Sequence, residues 1–209
     1  SKDSVFGELK VTTTTGFGTL WLAPRLKRLY EKHPRIQINL MLEERLLNLS
    51  MREADVAIRL QPPSQADLIQ RKLFSVRVHF FATKEYVSKR GLPKNIDELS
   101  SNHRLICYDP DSNQISAAKR FIAPFLTKKN FSLLLLNNYY GIFRAVRNGL
   151  GVGTLPDYLA MDFPELIQVL PEFQSEVVPI YIAYPQELKK SKRLTAFKDF
   201  ILGELKEKN

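Results

Sequence analysis

Thr12, Thr13, Thr14 and Thr15 stand in a row before Gly16, Phe17 and Gly18, between a short β-branched apolar segment and a helical pattern. Hydroxyls at the join of a buried strand and a helix N-terminus offer side-chain and backbone donors to an anion. Thr13, Thr14, Thr15, Gly16 and Phe17 are therefore the candidate rim of a ligand site. The plainer alternative is that Thr12 and Thr13 finish the strand while Thr15 caps the helix. Arg59 is the next candidate, because it closes the apolar run Val56-Ala57-Ile58, where a charge must be paired or open to a cleft. An ion pair with Asp55 or Glu43 is its alternative role. Asn138 and Tyr139, with Asn137, open a later helical pattern, where they can donate to a ligand or simply cap the helix.

Catalytic chemistry has little to stand on. His33 precedes a proline, His79 lies in an extended run and His103 in a turn, and none has the spacing of a metal site or a nucleophile–base pair. Glu43 and Glu44 are adjacent at a strand end and point to opposite sides, which makes a poor acid/base pair. Gly149-Leu150-Gly151-Val152-Gly153 follows a helical pattern instead of opening one, the reverse of a dinucleotide fingerprint, and no GxxxxGK loop occurs. No catalytic residue, metal ligand or cofactor is expected.

Several elements must position the candidate residues. Leu9–Thr13 reads as a buried strand, and Leu22, Leu26 and Leu29 as the apolar face of a helix closing at His33-Pro34. Ile36, Ile38, Leu40 and Leu42 alternate as a strand should. A short charged helix with Leu46, Leu49 and Met51 is expected next, then the strand Val56–Arg59. Strand, helix, strand, helix, strand predicts a parallel sheet with right-handed crossovers and a site at the carboxyl ends of its strands. Gln61-Pro62-Pro63-Ser64 is a loop, Ile69–Leu73 and Val76–Thr83 are extended, and Asn95 caps a short helix. Arg104–Tyr108, Phe131–Leu136 and Val152–Leu155 read as further strands, with turns at Asp109–Asn113 and Lys128–Asn130. Tyr139–Asn148 is the helix before the third of them. Ala117–Pro124 carries no readable pattern. Leu166–Leu170 is a short strand before Pro171, Val177–Tyr184 a long one, and Leu194, Phe197, Phe200, Ile201 and Leu205 mark a final amphipathic helix.

The chain has 209 residues, 44% apolar and 25% charged, enough for a proper core and ordinary for a soluble protein. Its one cysteine, Cys107, rules out an internal disulfide, fits a reducing cytoplasm and sits in an apolar run where an inert thiol is expected. No apolar run reaches membrane-spanning length, and Ser-Lys-Asp-Ser has no signal-peptide hydrophobic region. The net charge of +9 is spread out, with small clusters at Lys128-Lys129 and around Lys189–Arg193, and no nucleic-acid-binding signature accompanies it. A solvated basic face is its reading.

The runs GELKVTTTTGFGTLWLAP, LYEKHPRIQINLMLEE and READVAIRL resemble the effector-binding domain of LysR-type transcriptional regulators. LIQRKLFSVRVHFFATKEYVSKRGLPKNIDELSSNHRLICY and AVRNGLGVGTLPDYLA continue the likeness in the same order. Many members of that family carry serine where Gly16 stands, which shifts the expected polar contacts onto the threonines. The resemblance implies an α/β fold of the two-lobed, periplasmic-binding-protein type II kind, each lobe a mainly parallel sheet flanked by helices, the two joined by crossover strands. The expected division is residues 1–76 and 182–209 for the first lobe and 77–181 for the second. It also implies a small polar or anionic effector held between the lobes. A homodimer or tetramer is expected, with Trp21 and Tyr30 as exposed anchors on the first helix. Promoter DNA would be bound by an N-terminal winged helix-turn-helix absent from this chain, and the location would be cytoplasmic. A solute-binding protein of a transport system is the alternative on the same fold, and an enzyme on it lacks a convincing nucleophile or base.

Overall fold

The computed structural model describes residues 5–49, 52–60, 65–112, 115–127 and 132–206. The expected loop at 61–64, the turn at 128–130, and Met51, Asn113 and Phe131 lie outside them. The chain divides into two compact units, Ser1–Phe74 with Pro179–Asn209, and Ser75–Val178.

In the first unit, β1 (Gly7–Thr13) lies between β2 (Ile36–Leu42) and β3 (Val56–Arg59) and pairs in parallel with both. β4 (Leu68–Val76) and β10 (Val178–Pro185) complete a five-stranded sheet of order β2-β1-β3-β10-β4, with β10 antiparallel to β3. β1 is buried along its second half and β3 throughout, as a strand covered on both faces must be. Between β1 and β2 runs α1, made of Thr15–Phe17, a π-helical segment Gly18–Leu22 and Ala23–Lys32. A Cβ on Gly18 would overlap Leu42 Cδ2 and stand 3.0 Å from Thr13 Cγ2, so glycine is what lets α1 lie this close to the sheet.

The expected short charged helix before β3 does not form; residues 43–49 and 52–55 are irregular among the described residues. The reason is competition for its backbone groups. Carbonyls of Glu43 and Arg45 accept hydrogen bonds from the Arg59 guanidinium, and Asn48 N–H donates to Glu53 Oε2 (2.6 Å), so these groups are not free for a helical ladder. Leu47 and Leu49 are nevertheless buried, against Ala54, Ala57 and Ala183.

The second unit repeats the plan. β6 (Arg104–Tyr108) pairs in parallel with β7 (Ser132–Leu136) and β8 (Val152–Pro156), and β5 (Val78–Thr83) pairs antiparallel with β8 and with β9 (Leu166–Gln174), giving the order β7-β6-β8-β5-β9. The helices are α2 (Lys84–Arg90), α3 (Ile96–Asn102), α4 (Ser116–Leu126), α5 (Tyr139–Arg147) and α6 (Leu159–Asp162). Asn95 caps α3 by accepting from Glu98 N–H at 2.8 Å. The unreadable segment is α4, whose Pro124 lies in the last turn; it buries Ala118, and its Ile122 and Phe125 join the core around Phe80, Leu99, Leu105 and Val169. β9 runs on past Pro171 because its register slips between His79 and Phe80 of β5, and a bulge on an edge strand tolerates proline. Cys107 is fully buried in this core, and desolvation pushes its thiol up to about 12.

The last described element is α7 (Lys192–Lys206), which buries Leu194, Phe197 and Ile201 and also Glu204, held by Arg28 at 2.8 Å. Trp21 is not an exposed anchor: it is 0% exposed, stacked on Phe17 at 5.0 Å with the Arg25 guanidinium 4.4 Å over its ring. Tyr30 is partly exposed, and its hydroxyl accepts from Ile38 N–H.

Candidate functional site

The carboxyl ends of β1 and β3 and the loop after β2 meet at one edge of the first sheet, where α1 begins. Thr12 and Thr13 are fully buried there and are structurally committed. Thr13 Oγ1 donates to Ile58 O at 2.8 Å, tying β1 to β3. Thr12 Oγ1 accepts from Arg59 Nη2 at 2.9 Å.

Arg59 is 2% exposed and its fork is spread over neutral acceptors: Glu43 O at 2.6 Å, Thr12 Oγ1 at 2.9 Å and Arg45 O at 3.0 Å. Burial lowers its pKa from the ordinary arginine value, and the nearby Glu44 and Glu43 carboxylates act against that. The expected carboxylate pairing is not what holds it. Asp55 accepts instead from Lys10 N–H and Arg52, while Glu43 pairs with Arg45 at 3.4 Å. Arg59 thus braces the loop after β2 against β1.

Thr14 and Thr15 are different. Both are half-buried, and among the described residues neither hydroxyl has a protein hydrogen-bond partner. Thr14 stands at the N-cap of α1 in extended conformation but gives no side-chain cap. The job falls to Glu44, whose Oε1 accepts from Thr15 N–H at 2.9 Å. A carboxylate oxygen therefore already sits on the first N–H of α1, where the helix dipole favours negative charge. The residue types of this run do not disclose Glu44, because the contact joins positions 29 apart; the only signal is that the strand after α1 ends at the same sheet edge.

Gly16 is buried, and Phe17 is core rather than rim, its ring 5.0 Å from Trp21 and 6.2 Å from Phe74. The second unit presents Asn138 and Tyr139 at the equivalent edge of its own sheet, beyond Tyr108 at the end of β6. Asn138 Oδ1 accepts from Gly141 N–H at 2.8 Å as the cap of α5, and Tyr139 is buried 5.1 Å from the Tyr108 ring. Of the residues singled out, Thr14 and Thr15 thus keep uncommitted hydroxyls, while Thr13, Phe17 and Arg59 hold the edge in shape, Arg59 through its two Nη atoms with its buried Nε unpartnered among the described residues.

The histidines do not converge. His103 is buried with Nδ1 2.7 Å from Tyr86 Oη, and His79 is buried with Nε2 3.9 Å from Asp157 Oδ2. Desolvation lowers the pKa of both. No cluster of His, Cys, Asp and Glu able to hold a metal ion occurs among the described residues.

Comparison with known proteins gives these features a context. A family model described as LysR substrate binding domain matches residues 2–206. An uncharacterized HTH-type transcriptional regulator of Haemophilus influenzae is 28% identical over 185 residues, 87% of this chain and 64% of that protein. The HTH-type transcriptional regulator CrgA of Neisseria meningitidis serogroup C is 29% identical over 205 residues, 95% of this chain and 67% of that protein. The chain thus spans about two thirds of the length of these relatives. The structure of the CrgA regulatory domain superposes with a TM-score of 0.77 at 26% identity, covering 96% of this chain and 99% of that one. These proteins are transcriptional regulators.

Proposed function

Because the chain belongs to the LysR substrate binding domain family, we propose that it is the effector-sensing regulatory domain of a LysR-type, DNA-binding transcriptional regulator. In this reading a small polar or anionic ligand is held at the edge where α1 begins. DNA is bound by a winged helix-turn-helix outside the chain, the regulator acts in the cytoplasm, and it assembles as a homodimer or tetramer. No helix among the described residues is long and apolar enough to cross a membrane.

The observation that supports the ligand site is the pair of uncommitted hydroxyls on Thr14 and Thr15 beside an N–H that already binds a carboxylate oxygen, that of Glu44. A ligand carboxylate has the same chemistry as the Glu44 oxygen and can take its place, adding two hydroxyl donors that Glu44 does not use. A neutral polar ligand can engage the hydroxyls while Glu44 stays. Signalling then requires the ligand to bind one conformation of the chain better than another.

A thermal-shift screen with small carboxylates, amino acids and aromatic acids tests the reading, since a ligand of the folded state raises its melting temperature. The expected hit is a compact polar molecule whose effect is lost in Thr14→Val or Thr15→Val. A hit indifferent to both substitutions places the site elsewhere. Glu44→Gln separates the two ligand classes: it strengthens binding of an anion and leaves a neutral ligand almost unchanged.

A further inference from the structure

The second unit carries a cavity of about 630 Å³ that has no part in the edge just described. It opens at the opposite end of the same sheet, where β6 starts with Arg104, β5 finishes with Thr83, and the chain leaves α5 through Asn148, Gly149 and Leu150 towards β8. Its volume falls within the range of small-molecule sites, about 300–1,000 Å³.

The wall is unusual in its charge. Lys89, Arg90, Arg104 and Arg147 all line it, with Glu85 the one acidic residue among the lining residues. Lys89 pairs with Glu85 at 3.0 Å, and Arg147 pairs with Glu165 at 3.6 Å. The remaining two guanidiniums rest on neutral acceptors. Arg90 donates to Asn102 O at 2.9 Å, and Arg104 donates to Ser132 Oγ at 2.9 Å and Leu150 O at 3.2 Å. Four cations against two carboxylates leave a local charge of +2. Those neutral contacts fix the direction of each guanidinium without neutralising it. The back of the cavity is firm, because Tyr86 is 8% exposed and its hydroxyl is anchored to the buried His103. Guanidiniums held this way present paired donors to the oxygens of a phosphate or carboxylate.

We propose that this cavity is a second ligand site, which takes a compact dianion such as a phosphate monoester or a dicarboxylate. Its concavity and the buried Tyr86 behind it favour a small molecule over the flat phosphate track of a nucleic acid.

Lys89 and Glu85 permit a test that does not depend on refolding, since both are largely exposed and bonded to each other on one face of α2. Isothermal titration of the 209-residue chain at low ionic strength uses inorganic phosphate and succinate as probes. Each is expected to bind at one saturable site, and the tighter of the two tells whether phosphate or dicarboxylate chemistry is preferred. Lys89→Gln removes a cation and is expected to weaken binding, whereas Glu85→Gln removes the anion and is expected to tighten it, each by roughly 3–10-fold for a charge several ångströms from a dianion in water. Arg104→Gln is expected to abolish binding, with the circular-dichroism spectrum retained. Binding that ignores both helix substitutions, or no saturable binding of either probe up to about 10 mM, overturns the proposal. So does a short DNA duplex that binds through Lys89 while neither small probe does.

Discussion

Replacing Arg59 by methionine asks whether this side chain is a brace or a ligand contact. Its guanidinium makes three hydrogen bonds of 2.6, 2.9 and 3.0 Å while 2% exposed. Methionine leaves Thr12 Oγ1 and the carbonyls of Glu43 and Arg45 without a donor, at about 1–3 kcal/mol for each acceptor that stays buried. Two terms work the other way. The loop carbonyls can recover water, and the desolvation penalty of a buried cation disappears. The balance is a loss of about 2–4 kcal/mol, a large part of a typical stability of about 5–15 kcal/mol. Trp21 reports it directly, because it is the chain's one tryptophan, is fully buried and belongs to the same unit as Arg59. With a urea slope of about 1–3 kcal/mol per M, the ligand-free midpoint followed by tryptophan fluorescence should fall by roughly 1–3 M. Arg59→Lys keeps the charge without the fork and should recover only part of this. A methionine variant within about 0.5 kcal/mol of the parent, below the cost of a single unsatisfied acceptor, would refute the bracing role and return Arg59 to the ligand.

Other outcomes follow from the same structure. Gly18→Ala forces a methyl towards Leu42 and Thr13 and should cost about 1–3 kcal/mol by overpacking, read as a lower midpoint in the same urea titration. Burial lowers the His79 pKa, so the unfolded chain binds its proton first as pH falls; the stability His79 contributes is complete above its unfolded value of about 6.5 and is lost as pH drops towards the folded value. His79→Gln should flatten that slope in melting temperatures taken between pH 7 and 5, whereas Asp157, whose pKa burial raises, acts in the opposite sense at lower pH. Cys107, with its thiol pushed up to about 12, should not react with a thiol reagent at pH 8 until urea unfolds the second unit.

The elements bordering the candidate site were largely legible because they are short-range. Alternation in Ile36–Leu42, the β-branched end of β1 and the His33-Pro34 stop each follow from neighbours in sequence. What stayed hidden depends on contacts across the fold. The segment after β2 has the charge and leucine content of a helix, yet Arg59, 14 and 16 residues downstream, claims its carbonyls. The apolar run in β7 could pass for a buried strand, but β7 is an edge strand and Leu133 and Leu135 remain about 40% and 41% exposed. Trp21 has the residue type of an interface anchor, and only the stack with Phe17 and Phe74 shows that its own unit uses it. The threonine run stands out in the sequence as a candidate rim, but the division between bracing and free hydroxyls does not. Thr12 and Thr13 differ from Thr14 and Thr15 only through partners more than forty positions away.

The most direct test of the account is the affinity of a ligand from the thermal screen for Thr14→Val and Thr15→Val, measured by titration calorimetry beside the parent chain. Valine keeps the shape of threonine and deletes the hydroxyl, so each change should cost about 1–2 kcal/mol, a loss of roughly 5–30-fold in affinity. Ligand-free stability should barely move, because neither hydroxyl has a protein partner among the described residues. Unchanged affinity in both variants would contradict the placement of the effector at the start of α1.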